Sequence, residues 1–154
     1  MGFMRVGMEG HLAFTRVLAA GALALAQSFG LAGTVAAQTG NFVLELNNTA
    51  EVDDSCRLTF VATNNAGVAL TATSYEVAIF DADGRVSNLL VLEFGELPLA
   101  KTKVVQFDLT DKECSNVSRI LVNSTADCQG EDGPLDFCLT ALVTSTRTNI
   151  LFGV

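Results

Sequence analysis

What this 154-residue chain lacks narrows its chemistry first. It has no tryptophan, a single tyrosine (Tyr75) and a single histidine, His11, which lies in an amino-terminal segment that does not belong to the fold. Beyond that segment there is no Ser-His-Asp or Cys-His pair to activate a nucleophile. The commonest zinc ligand is missing as well, and with it the only side chain that normally titrates near neutrality. Scarcity of tryptophan and tyrosine disfavours a carbohydrate site, where such rings stack on sugars. No glycine-rich phosphate loop and no C-x-x-C pair occur, which disfavours a thioredoxin-like redox site or a zinc ribbon.

The first 37 residues have the three parts of a secretory signal peptide. Arg5 and Arg16 lie in a weakly positive n-region, "VLAAGALALA" (Val17 to Ala26) is the apolar run, and "TVAAQ" places Val35 and Ala37 at −3 and −1 of a cleavage after Ala37. Gln27, Ser28 and scattered glycines keep the run short of the roughly 20 clean apolar residues that a membrane span needs. A twin-arginine pair and a cysteine near the cleavage point are both absent, so the general secretory route is expected and a lipoprotein is not. The mature chain, 38–154, is then one domain with one core, and none of its segments is apolar enough to span a membrane. It carries seven Lys/Arg against sixteen Asp/Glu, a formal charge of −9. Such a surface repels phosphate backbones and anionic lipid heads, so nucleic acid is not an expected partner.

All four cysteines (Cys56, Cys114, Cys128, Cys138) lie in the mature chain, and an even number in an oxidising compartment reads as two disulfides. Period-two alternation dominates that chain. Phe42, Leu44 and Leu46 share a face, as do Leu58, Phe60 and Ala62, then Tyr75, Val77 and Ile79. Leu90, Leu92 and Phe94 follow, then Val105, Phe107 and Leu109, then Ile120 and Val122, and last Leu139, Ala141 and Val143. Turn residues fill the gaps: Asn64 to Gly67, Asp83-Gly84, Gly95 with Pro98, Asp111, and Gly130 to Pro134. The expected fold is all-β, an antiparallel immunoglobulin-like β-sandwich of about seven strands after the cleaved signal peptide. If the strands alternate up and down, Cys56 and the Cys114 loop share one end, and Cys128 and Cys138 share the other. Cys56–Cys114 and Cys128–Cys138 then need the least backbone distortion of the three connectivities. Loop closure gives about 4 kcal/mol for the first and about 3 kcal/mol for the second.

"IFDADGRV" (Ile79 to Val86) is the most suggestive short stretch. As a calcium loop counted from Asp81 it has Arg85 at the fifth position, Val86 at the sixth and Leu92 at the twelfth, so three required places are wrong. Asp-Gly between alternating apolar runs instead reads as a tight hairpin, with type I′ geometry expected. The same stretch, with "CRLTFVATN" and "KTKVVQFDL", carries a resemblance. From about Leu58 to Leu109 the chain resembles the bacterial FxLYD-type immunoglobulin-like domain, with Val77, Ile79 and Phe80 in the places of the motif's Phe, Leu and Tyr, and Asp81 and Gly84 identical. It also looks like a family of small exported proteins of Gram-negative bacteria. Both resemblances imply a sandwich and a periplasmic address, and neither implies a ligand or catalytic residues.

The remaining candidates are each weighed against a plain structural role. Asp53, Asp54, Asp81 and Asp83 are expected at one sandwich end, where they offer a metal-binding group. Glu131, Asp132 and Asp136 form an acidic loop that a partner protein would meet, or a solvated connection stapled by the second disulfide. Arg147, amid hydroxyls in "STRT", suits an anion, or is the exposed side of an edge strand. Asn47, Asn116 and Asn123 stand in N-glycosylation patterns that a bacterial origin makes irrelevant. "NILFGV" offers a strand to a partner sheet or is buried on its own domain. The leading functional expectation is a non-catalytic, cofactor-free module acting through another envelope or secreted protein. A calcium-dependent binding module and a carboxylate-pair hydrolase are the alternatives.

Overall fold

Successive side chains of a strand point to opposite faces, and the alternation in this chain builds two sheets. The computed structural model describes residues 40–154; the expected leader and its cleavage point lie outside the described residues. The strands are β1 (Phe42–Val52), β2 (Ser55–Asn64), β3 (Ala72–Phe80), β4 (Val86–Glu93), β5 (Thr102–Thr110), β6 (Arg119–Gly130), β7 (Gly133–Pro134), β8 (Leu142–Thr146) and β9 (Leu151–Gly153). A 3₁₀ turn spans Cys114–Asn116 between β5 and β6. One sheet has the order β5-β2-β1-β8. The other has the order β4-β3-β6-β7, with β9 also paired to β6.

The sheets pack face to face as a β-sandwich around Phe42, Leu44 and Leu46 of β1, Leu58, Phe60 and Ala62 of β2, Tyr75, Val77 and Ile79 of β3, and Ile120 and Val122 of β6, all buried. Phe60 is the hub: Phe94, Phe107 and Phe152 stand edge-on to it at 5.6, 5.9 and 5.2 Å between centroids. Edge-to-face pairs add to the area they bury. The Tyr75 hydroxyl donates to the Cys138 carbonyl at 3.0 Å, and burial pushes its pKa up, so it stays a neutral donor.

Three details depart from the sequence reading. The sheets are mixed, because β8 runs parallel to β1 and β9 parallel to β6. Both strands follow a chain crossing from one sheet to the other, and only a tight hairpin forces reversal. Next, β8 faces inward through Leu142, not Val143, which is 46 % exposed. A helical turn at the crossing, with the Ala141 amide donating to the Phe137 carbonyl at 2.8 Å, absorbs Leu139 and Ala141 and shifts the alternation by one. Finally, the hairpin after β3 is not type I′. Gly84 alone has positive φ (77°), the Gly84 amide donates to the Asp81 carbonyl at 3.0 Å, and the register slips between Ile79 and Phe80. That is a type I turn closed by a left-handed glycine, the usual three-residue hairpin.

Buried polar atoms must be satisfied, and Asn64 at the end of β2 does this for two loops. Its amide nitrogen donates to the Val68 carbonyl at 2.8 Å and the Leu97 carbonyl at 2.7 Å, and its carbonyl oxygen accepts the Ala66 amide at 2.9 Å. Gly40 seats beneath the same loop, where an added Cβ would come within 2.2 Å of the Asn65 carbonyl oxygen. Asn64→Leu keeps the volume and strands the Ala66 amide and the Val68 carbonyl, while the Leu97 carbonyl keeps the Leu70 amide, so it should lower unfolding free energy by about 2 kcal/mol. Urea unfolding checks this: the midpoint should fall with the slope unchanged.

Candidate functional site

Each disulfide pins a crossing of the chain. Cys56, opening β2, is bonded to Cys114 in the 3₁₀ turn, with Cα atoms 4.8 Å apart; Cys128, near the end of β6, is bonded to Cys138, with Cα atoms 6.1 Å apart. These are the two connectivities that alternation favoured, and they staple opposite ends of the sandwich.

The Cys56–Cys114 end carries the four aspartates. Asp53 and Asp54 make the two-residue turn between β1 and β2, with Asp53 at φ 51°. They line a shallow depression with Glu51, Asp111 and Glu113, while Lys112 stands among them. Asp81 and Asp83 lie at the same end but are already engaged. One Asp81 carboxylate oxygen accepts the amides of Asp83 and Arg85 at 3.0 and 2.8 Å, and Asp83 takes the Arg85 guanidinium at 2.9 Å. Glu51 accepts the Cys114 amide at 2.8 Å. No group of three acidic, cysteine or histidine side chains able to hold a metal forms among the described residues, so the expected quartet is not brought together. Asp81 is a hairpin residue: its carboxylate organises the turn from within, as an Asx residue does.

At the opposite end, Glu131 and Asp132 sit exposed at the tip of the β6–β7 hairpin, and Asp136 is exposed on the return. The Leu135 amide, donating to the Cys128 carbonyl at 2.9 Å, fastens that loop beside its disulfide. Arg147 is not free to meet an anion. Its Nε donates to Glu45 Oε1 at 2.8 Å, and that same oxygen accepts the Asn47 amide at 2.7 Å. The C-terminal strand is used internally, since β9 pairs with β6.

Sequence reasoning missed the open side of the sandwich. β4 ends one sheet and β5 ends the other, and between them runs a groove of about 550 Å³. Leu90, Leu92, Phe107 and Leu109 line it, with Leu90 and Phe107 only partly buried. Two lysines lace its ends. Lys103 Nζ donates to the Phe94 carbonyl at 2.7 Å, and Lys112 Nζ donates to Ser87 Oγ at 3.0 Å. The one carboxylate lining the groove, Asp108, is committed to Arg57 through two hydrogen bonds of 2.7 Å. On the outer face beside it, Leu89 and Val91 are 63 % and 48 % exposed. The signal for this surface was present in "LLVL" (Leu89 to Leu92), a strand apolar on both faces.

No protein family, curated protein or solved structure matches this chain. Chemically, the groove offers unpaired strand edges over an apolar floor, which suits an extended polypeptide rather than a reacting small molecule. The Arg147 hydrogen bond holds the Glu45 carboxyl below its usual range, and the Arg57 hydrogen bond does the same for Asp108. A depressed folded pKa contributes stability that is present above the unfolded carboxylate value and is lost as pH falls through the folded value. Asp108→Asn and Glu45→Gln should therefore melt below wild type at neutral pH. The gap should narrow as pH falls below the ordinary carboxylate range, as thermal unfolding measured from neutral to acid pH will show.

Proposed function

We propose that this chain is an exported, non-catalytic β-sandwich that acts through protein–protein contact in the periplasm or envelope. The observation that carries the reading is the open groove between β4 and β5, apolar at its floor and bordered by two unpaired strand edges. The paired cysteines fit an oxidising compartment, and no helix among the described residues is long and apolar enough to cross a membrane. The amino-terminal segment, read as a secretory signal peptide, supplies the address. Non-catalysis is supported by the engagement of the carboxylates: Glu45, Asp81 and Asp108 each already accept hydrogen bonds from within the domain.

The test is expression of the full chain in a Gram-negative host, followed by fractionation and intact mass. The product should be a soluble periplasmic chain beginning at Gln38, with a mass four hydrogens below that of the reduced form. A photo-crosslinking residue at Leu90 should join a polypeptide in that compartment, and one at Glu131 should not. Retention in the cytoplasm with the leader intact would refute the address. Absence of any crosslinked polypeptide at Leu90 would refute contact through the groove.

A further inference from the structure

The two strands that border the groove differ as docking edges. β4 is interrupted where its register slips against β3. β5 runs against β2 from Thr102 to Leu109 without a shift, and it contains no proline. Natural edge strands are usually blunted by a bulge, a proline or a charge turned inward. The inward lysine of β5, Lys103, is drawn away to the carbonyls of Phe94 and Glu96. A regular nine-residue edge is therefore left available.

Its charges are also ordered. Lys101 and Lys103 lie at the start of β5, and Asp108 and Asp111 at its end. We propose that a second copy of this chain docks on the open side by antiparallel pairing of β5 with itself, with Gln106 on the two-fold axis. Gln106 is the middle residue of Thr102–Thr110, so this register overlaps the whole strand. Thr102 of one copy then faces Thr110 of the other, Val105 faces Phe107 on the inner side, and Lys101 faces Asp111. Lys101 and Asp111 are exposed and make no ion pair within the domain among the described residues. Opposed residues of antiparallel strands lie on one face, so Val105 and Phe107 meet across the axis on the inner side, and Lys103, held by the Phe94 and Glu96 carbonyls, lies opposite Leu109. A two-fold axis normal to the sheet keeps the inner faces on the same side. It brings the groove of one copy against the groove of the other, and Leu90 and Phe107 become covered in both. The interface is isologous and closes at two copies.

This inference rests on the interaction reading above and adds the partner. The oxidised mature chain, 38–154, is measured by sedimentation velocity from about 1 μM to about 1 mM. A concentration-dependent dimer is expected. Gln106 is exposed, so Gln106→Lys and Gln106→Glu should melt close to wild type. Each places a like charge against its own copy on the axis and should weaken dimerisation by at least about tenfold. An equimolar mixture of the two variants should recover a heterodimer. A wild type that stays monomeric overturns the inference. So does a Gln106→Lys chain that dimerises like wild type, or a mixture that fails to recover. Monomeric behaviour would leave the groove to a different protein, which the crosslink at Leu90 reports separately.

Discussion

Two stacked sheets have four lateral edges, and each edge strand carries backbone N–H and C=O groups that no neighbouring strand meets. This constraint arranges the whole domain. On one side the chain itself closes the gap: it leaves β8, crosses and returns as β9 against β6, bringing Phe152 onto Phe60 and Gly153 beside Thr144. On the other side the chain crosses once, at one end, through the 94–101 connection from β4 to β5, and no strand fills the gap along the length of the two edges. Besides that connection, Lys103 and Lys112 tie the two sheets there, their ammonium groups reaching across at the two ends and leaving the middle open. The chemistry of the molecule that remains unspent is concentrated along that side.

The covalent and polar ties serve the same geometry. Cys56–Cys114 fixes the chain as it enters β6 to the start of β2, and so joins the sheet ending at β5 to the sheet ending at β4. Cys128–Cys138 fixes the opposite crossing, where the chain leaves β6 for β8, and the Tyr75 hydroxyl reaches the same point from inside the core. Asn64 gathers the loops that follow β2 and precede β5 onto one buried amide. With both ends held in this way, the aromatic group around Phe60 sets the spacing of the sheets beside the groove.

Much of this was legible in the sequence because burial on one face leaves a period of two. Leu58, Phe60 and Ala62, or Tyr75, Val77 and Ile79, can be assigned to the core by counting. The disulfide pairing followed from the same alternation, since strand direction decides which ends the cysteines share. Legibility failed where a turn consumed residues, as at Leu139 to Leu142, and where short strands carried too little pattern, as in Gly133–Pro134 and Leu151–Gly153. Parallel pairing escaped for a different reason. A crossing between sheets sets strand direction through space, and no local residue type records it. The candidate sites were harder still. Asp81 and Arg147 are conspicuous in the sequence, yet the fold gives each an internal partner, the amides of its own turn for one and Glu45 for the other.

What separates a structural charge from a functional one here is whether the fold supplies a counter-group. Glu45, Glu51, Asp81, Asp83 and Asp108 all find one within the domain. The apolar residues of β4 and β5 do not find their equivalent, which is cover. Leu89, Val91 and Val104 remain 63 %, 48 % and 61 % exposed beside an already open groove. Singly, exposed apolar residues on a surface are ordinary. Aligned along two unpaired edges, they form a contiguous apolar surface, the feature on which the proposal of a docked strand rests.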